Sequence, residues 1–234
     1  MSRHVQRTTA RTARMLTCVA VAVPALLVAG CSSSDSGKDG SGSPHKSTGA
    51  AKPAPVKYKD LPDACKTLSS KTVKDLAPKT TDAGGKRIGT GDTSDSGSCL
   101  WSGLDKYDYR QLTVSLKRFD TDPSRGTGDK LAGAYLSQQS GDVTDEKGVK
   151  DVKRSPVGGI GDEAKSISYE VKKKSGGKKK SEKFTSERIV ARSANAVVTV
   201  DYEGAGFENG KKPKSGELKE KAEKAAKEAV AALK

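Results

Sequence analysis

The stretch FTSERIVARSANAVVTVDYE, residues 184–203, sets two apolar runs either side of a short break at Ala194-Asn195. Ile189 and Val190 lie in the first run, and Val197, Val198 and Val200 in the second. β-Branched side chains suit a pleated strand, and asparagine suits the tight turn that must join two of them. The stretch therefore reads as two antiparallel strands. Just upstream, Ile167, Tyr169 and Val171 fall at every second position, which places them on one side of a third strand. Together the three runs form the clearest antiparallel meander in the chain.

Further toward the N-terminus, YRQLTVSLKRF (109–119) alternates Leu112, Val114 and Leu116 with Gln111, Thr113, Ser115 and Lys117, and SCLWSG (98–103) precedes it as another strand. That brings the expected sheet to about five strands. Helices are expected around it. LPDACKTLSSKTVKDLAP (61–78) reads as one or two short helices, with Pro62 in a first turn, Ser69 or Ser70 as a cap and Pro78 as the stop. The following TTDAGGKRIGTGDTSDSG is rich in turn residues and reads as loop. A helix over 127–139 would gather Leu131, Ala134 and Tyr135 on one side. The last segment, SGELKEKAEKAAKEAVAALK, lines up Leu218, Ala222, Ala225, Ala229 and Leu233 with Val230 beside them. Its pairs Glu217 with Lys221, Glu220 with Lys224 and Glu223 with Lys227 stand four apart on the wet side. The expected fold class is α+β: an antiparallel sheet of about five strands with helices packed mainly on one face.

The N-terminus has a different character. Four arginines and no carboxylate precede the apolar segment MLTCVAVAVPALLV, the order of a secretory signal. That segment is shorter than the roughly 20 residues a spanning helix needs. Val28-Ala29-Gly30-Cys31 resembles a bacterial lipobox, in which the Cys31 thiol takes a diacylglyceryl group and the chain is cut before it. A polar run rich in Ser, Gly, Pro and Lys follows and reads as a tether. The expected organisation is a lipoprotein signal peptide over 1–30, a lipidated cysteine and tether over 31–57, and one extracytoplasmic domain over 58–234, anchored on the outer side of the cell membrane. Two acyl chains give stable anchoring where one gives only reversible binding.

Loss of residues 1–30 lowers the formal charge from +14 to about +10. With 33% hydrophobic and 4% aromatic residues, any core is small and aliphatic, and a small core needs a staple. Cys18 belongs to the signal and Cys31 to the lipid, which leaves Cys65 and Cys99 to form a disulfide in an oxidising exterior. They lack the C-x-x-C spacing of a redox pair.

Histidine is confined to His4 in the signal and His45 in the tether. Ser-His and Cys-His nucleophiles and histidine-ligated metals are thereby excluded from the domain. A carboxylate mechanism or a Ser-Lys pair stays open, but no motif joins such residues. The segment 158–164, GGIGDEA, has neither the lysine nor the strand-then-helix context of a nucleotide loop. It reads as a turn with Asp162 bonded to its own backbone, and its two adjacent acids fall short of the oxygens calcium wants. No metal and no cofactor are expected. Lys172, Lys173, Lys174, Lys178, Lys179, Lys180 and Lys183 straddle a Ser-Gly-Gly sequence, with no interleaved aromatics for stacking on nucleic acid. They read as a solvated hairpin tip or as a contact for anionic lipid headgroups or wall polymers. Trp101, two residues from Cys99, shares its sheet face and should pack beside the disulfide.

The order of these features, from lipobox and tether through Cys65, Cys99-Leu100-Trp101, 159–164 and 196–203 to the Ala-rich last helix, resembles the actinobacterial lipoproteins grouped as domain of unknown function 3558. It is also similar to extracellular sensor-like domains of actinobacterial kinases. The resemblance covers residues 58–234 and implies no catalytic residues. The expected function is that of a noncatalytic binding or accessory module that engages an envelope component or an exported protein. A carboxylate-dependent enzyme acting on cell-wall material, or a basic surface protein holding anionic polymers, are the competing readings.

Overall fold

A computed structural model of the chain describes residues 55–89, 94–145, 147–174, 181–208 and 210–234. The expected signal, Cys31 and most of the tether lie outside these residues. So do Lys178, Lys179 and Lys180.

Seven strands form one antiparallel sheet: β1 (Lys86–Ile88), β2 (Ser96–Asp105), β3 (Asp108–Arg118), β4 (Val149–Val157), β5 (Glu163–Lys174), β6 (Ser181–Ser193) and β7 (Ala196–Gly206). Their spatial order is β1-β2-β3-β7-β6-β5-β4. The hairpin that decides the fold is thus central: β7 pairs with β6 on one side and β3 on the other, and Val198 and Val200 are fully buried.

The count exceeds the expected five at the two edges. β1 falls in the turn-rich stretch read as loop, and all three of its residues are exposed. Every residue of β4 is exposed or half-buried, and the strand carries Pro156 and a register shift between Lys150 and Lys153. An edge strand that buries neither side has no apolar alternation to read, and proline and bulges are tolerated there.

Two α-helices share one face. α1 (Ser70–Leu76) and α3 (Ser215–Ala231) join Leu112, Val114, Leu116, Ile189, Val198 and Val200 in the larger core. The Ser69 hydroxyl caps α1 by accepting from Thr72 N. α3 buries Leu218, Ala222, Ala225 and Ala229 of the expected stripe together with Ala226, and Leu233 just beyond it is buried too. Of its expected ion pairs Glu217–Lys221 forms at 3.2 Å. Lys224 reaches Asp75 of α1 instead, at 3.3 Å.

α2 (Gly128–Gly141) takes the opposite face, where Ala132 and Leu136 meet Ile167, Val190 and Val197. Thr127 caps it by accepting from Lys130 N, and the buried side is Gly128, Ala132, Leu136 and Ser140. Leu131 and Tyr135 are half-buried and Ala134 is exposed, so the expected side is displaced by one residue. The reason is contact at Gly128: a Cβ there would stand 2.5 Å from Phe119 O, and that close approach sets the helix rotation.

Cys65, in a short 3-10 helix (Ala64–Lys66), and Cys99 on β2 form the disulfide, with Cα atoms 5.0 Å apart. Trp101 is 1% exposed and donates from Nε1 to Ala83 O at 3.2 Å. Gly85 completes this corner. At φ +76 a Cβ there would fall within 2.6 Å of both Cys99 Sγ and Trp101.

Candidate functional site

The lysine-bearing ends of β5 and β6 pair Lys172 with Lys183, Lys173 with Glu182 and Lys174 with Ser181. Alternation splits these cations between the faces. Lys183 Nζ lies 2.5 Å from Glu170, which Lys212 also engages. Hydrogen bonds from Lys183 and Lys212 hold the Glu170 carboxyl below its ordinary range. On the other face, Lys173 Nζ lies 2.5 Å from Glu203 and 5.3 Å from the centre of the Phe184 ring. Lys172 is exposed. Two of the expected contact lysines therefore serve intramolecular bridges, and the run acts less as a free cationic tip than its sequence implies.

Glu203 anchors a polar network that sequence reasoning missed. It accepts from Gln111 Nε2 at 3.3 Å and Ser186 Oγ at 3.4 Å. Tyr109 donates its hydroxyl to Gln111 Oε1 at 2.7 Å, and burial, with Glu203 nearby, pushes that hydroxyl up. Asp201, two residues away on the same side of β7, accepts from Arg188 Nε at 2.6 Å. Strand rise puts the Cα atoms of Asp201 and Glu203 about 7 Å apart. Each is bridged to a cation, and the network ties β3, β7, β6 and β5 together.

A second buried acid lies under α3. Glu187 is 1% exposed, and its two oxygens accept from Ser166 and Ser168, each at 2.5 Å. Lys219 on α3 donates to Ser155 at 3.1 Å and stands 3.9 Å from Glu223. Burial pushes the Glu187 carboxyl up, while the serines and Lys219 pull it down. Lys219 thus stands between Ser155 on β4 and Glu223 on its own helix. A sequence signal did exist: Glu187 shares strand phase with Ile189 and Ala191, and Ser166 and Ser168 share it with Ala164.

Residues 158–162 form the β4–β5 turn, and Glu163 and Ala164 begin β5. Gly159 and Gly161 take φ +74 and +61, and a Cβ on Gly161 would lie 2.3 Å from Arg192 O. The expected bond of Asp162 to its own backbone does not form; instead its carboxylate accepts from Ala194 N at 2.6 Å and faces Arg192 at 3.4 Å. It therefore locks this turn to the β6–β7 turn.

That second turn carries the attachment of the N-terminal segment. Asn195 is fully buried, accepts from Tyr58 N at 2.9 Å, and donates to Tyr58 O at 2.8 Å and Phe119 O at 2.9 Å. The Tyr58 hydroxyl meets Ser193 Oγ at 2.9 Å. Tyr58 is thus fastened to the β6–β7 turn, at the end of the sheet opposite the lysines.

A cleft of about 470 Å³ opens between the end of α2 and β4–β5, lined by Ser137, Ser140, Arg154, Pro156, Glu163 and Lys165 among others. Arg154 Nε donates to Ser140 O at 2.9 Å and closes α2. Among the described residues no group of three or more His, Cys, Asp or Glu could hold a metal ion, and no helix is long and apolar enough to cross a membrane.

No protein-family model matches the chain, and no curated protein matches it. Among solved structures, the ZhuI aromatase/cyclase from Streptomyces sp. R1128 aligns over 74% of this chain and 82% of its own, at 10% identity and a TM-score of 0.16. A likeness that slight carries no argument about fold or activity.

Proposed function

We propose that the chain is a lipid-anchored, noncatalytic binding or accessory module of the cell envelope, held by a diacylglyceryl group on Cys31 and related to the domain of unknown function 3558 lipoproteins. Residues 1–30 are its signal, 31–57 its tether and 58–234 its extracytoplasmic domain. The observation that carries this reading is the clip at Asn195, where a buried side chain grips both the N–H and the C=O of Tyr58. A domain that hangs from a tether needs its N-terminal segment fastened, and two hydrogen bonds between Tyr58 and one buried amide do that. The disulfide supports an oxidising compartment. The carboxylate-enzyme reading is the weaker one, because Asp201 and Glu203 are each engaged by a cation.

The test is Cys31→Ser expressed in an actinobacterial host. Parent protein should partition with membranes and carry the mass of a diacylglyceryl group on its first residue; the variant should lose that mass and appear in the soluble or secreted fraction. Equal partitioning and equal mass for both would refute the assignment.

A further inference from the structure

Only three large apolar side chains are exposed among the described residues, and two of them, Leu104 at 50% and Tyr107 at 48%, bracket the β2–β3 turn. That turn does not stand alone. Phe207 N donates to Tyr107 O at 2.8 Å, and Lys211 N to Asp108 Oδ1 at 2.6 Å, so the loop after β7 is fastened against it. Lys212, next in that loop, bridges to Glu170, which Lys183 also holds. The turn, the loop and the stem of the β5–β6 hairpin are therefore one continuous end of the molecule. Segments 104–108, 170–174, 181–183 and 207–214 together hold eight lysines against five carboxylates. Lys183 and Lys212 are paired with Glu170 and Lys173 with Glu203, while Lys106, Lys211 and Lys214 are exposed.

We propose that this end docks on an anionic lipid bilayer, with Leu104 and Tyr107 entering the headgroup region and Lys106, Lys211 and Lys214 facing the phosphates. A hydrated polyanion would attract the lysines but would gain nothing from a leucine and a tyrosine held out in water. An interface gains from both, since an amphipathic tyrosine suits the headgroup depth and each nearby lysine adds attraction. Reach permits it. The end lies about one strand from Asn195, roughly 36 Å for eleven residues. The 24 residues from Cys31 to residue 54 can span up to about 80 Å.

The inference does not depend on the lipid at Cys31, so the mature chain, residues 31–234, carrying Cys31→Ser tests it. That chain is sedimented with vesicles of phosphatidylglycerol and phosphatidylcholine, with vesicles of phosphatidylcholine alone, and separately titrated with soluble polyglutamate. The expected result is binding to the anionic vesicles only, weakened by raised salt. Leu104→Ser with Tyr107→Ser should weaken it at least tenfold at an unchanged thermal midpoint, and Leu104→Ser alone should weaken it less. Absence of binding to anionic vesicles would overturn the proposal. So would undiminished binding by the double variant, or polyglutamate binding as tight as vesicle binding, either of which would make the lysines a plain polyanion contact.

Discussion

Glu187 is a carboxylate enclosed in line with Ile189 and Ala191 and satisfied by two serine hydroxyls. Its carboxyl is pushed up chiefly by burial. A raised folded-state value means that the fold keeps the proton after the unfolded chain has released it. Its contribution to stability is therefore fully present below the ordinary carboxylate range and is lost as pH climbs through the folded value. Glu187→Gln cannot titrate, so its thermal midpoint should gain on that of the parent as pH rises above the ordinary carboxylate range. Melts followed by circular dichroism at several pH values measure this, and a pH-independent offset would contradict it. Asn195 is the complementary case: its position in a turn was legible from residue type, but its three partners, on Tyr58 and Phe119, were not. They lie 137 and 76 residues away, and no local pattern encodes such distances.

α3 shows what an element owes to close approach. Its buried side is almost wholly alanine, with Ala222, Ala225, Ala226 and Ala229 fully enclosed, so its backbone lies near β6 and β7. Ala225→Leu should cost about 1 to 3 kcal/mol, because a packed interior resists added volume. Urea unfolding read by Trp101 fluorescence measures it, and an unchanged midpoint would mean the helix has slack there. This helix was the most legible element, since an alanine and leucine stripe repeats over seventeen residues. α2 was legible in extent but not in rotation. Its few apolar residues, Leu131, Ala132, Ala134, Tyr135 and Leu136, fit two neighbouring sides almost equally, and contact at Gly128 made the choice. β1 and β4 were illegible for the opposite reason, as edges with no buried side to leave an alternation.

At the scale of the whole molecule, the Cys65–Cys99 bridge joins the N-terminal 3-10 helix to the β1–β2 edge across 34 residues. Closing such a loop contributes about 3 to 4 kcal/mol in the chain-entropy account. Reduction should lower the unfolding free energy by that amount in urea titrations with and without reductant, and coincident curves would show the bridge to be dispensable. Its pairing could be read from the cysteine count and spacing. Five of seven strands, the class of fold and the three α-helices could also be read, because each buries a side, and burial imprints a period of two or 3.6 residues on the chain. The amino-acid sequence by itself determined those elements. The tertiary structure alone decided their order across the sheet, the rotation of α2, the ion pairs that occupy Lys173 and Lys183, and the exposed Leu104 and Tyr107 set beside Lys211. Those features come from contacts between distant segments, and a long-range contact leaves no periodic trace in the chain that makes it.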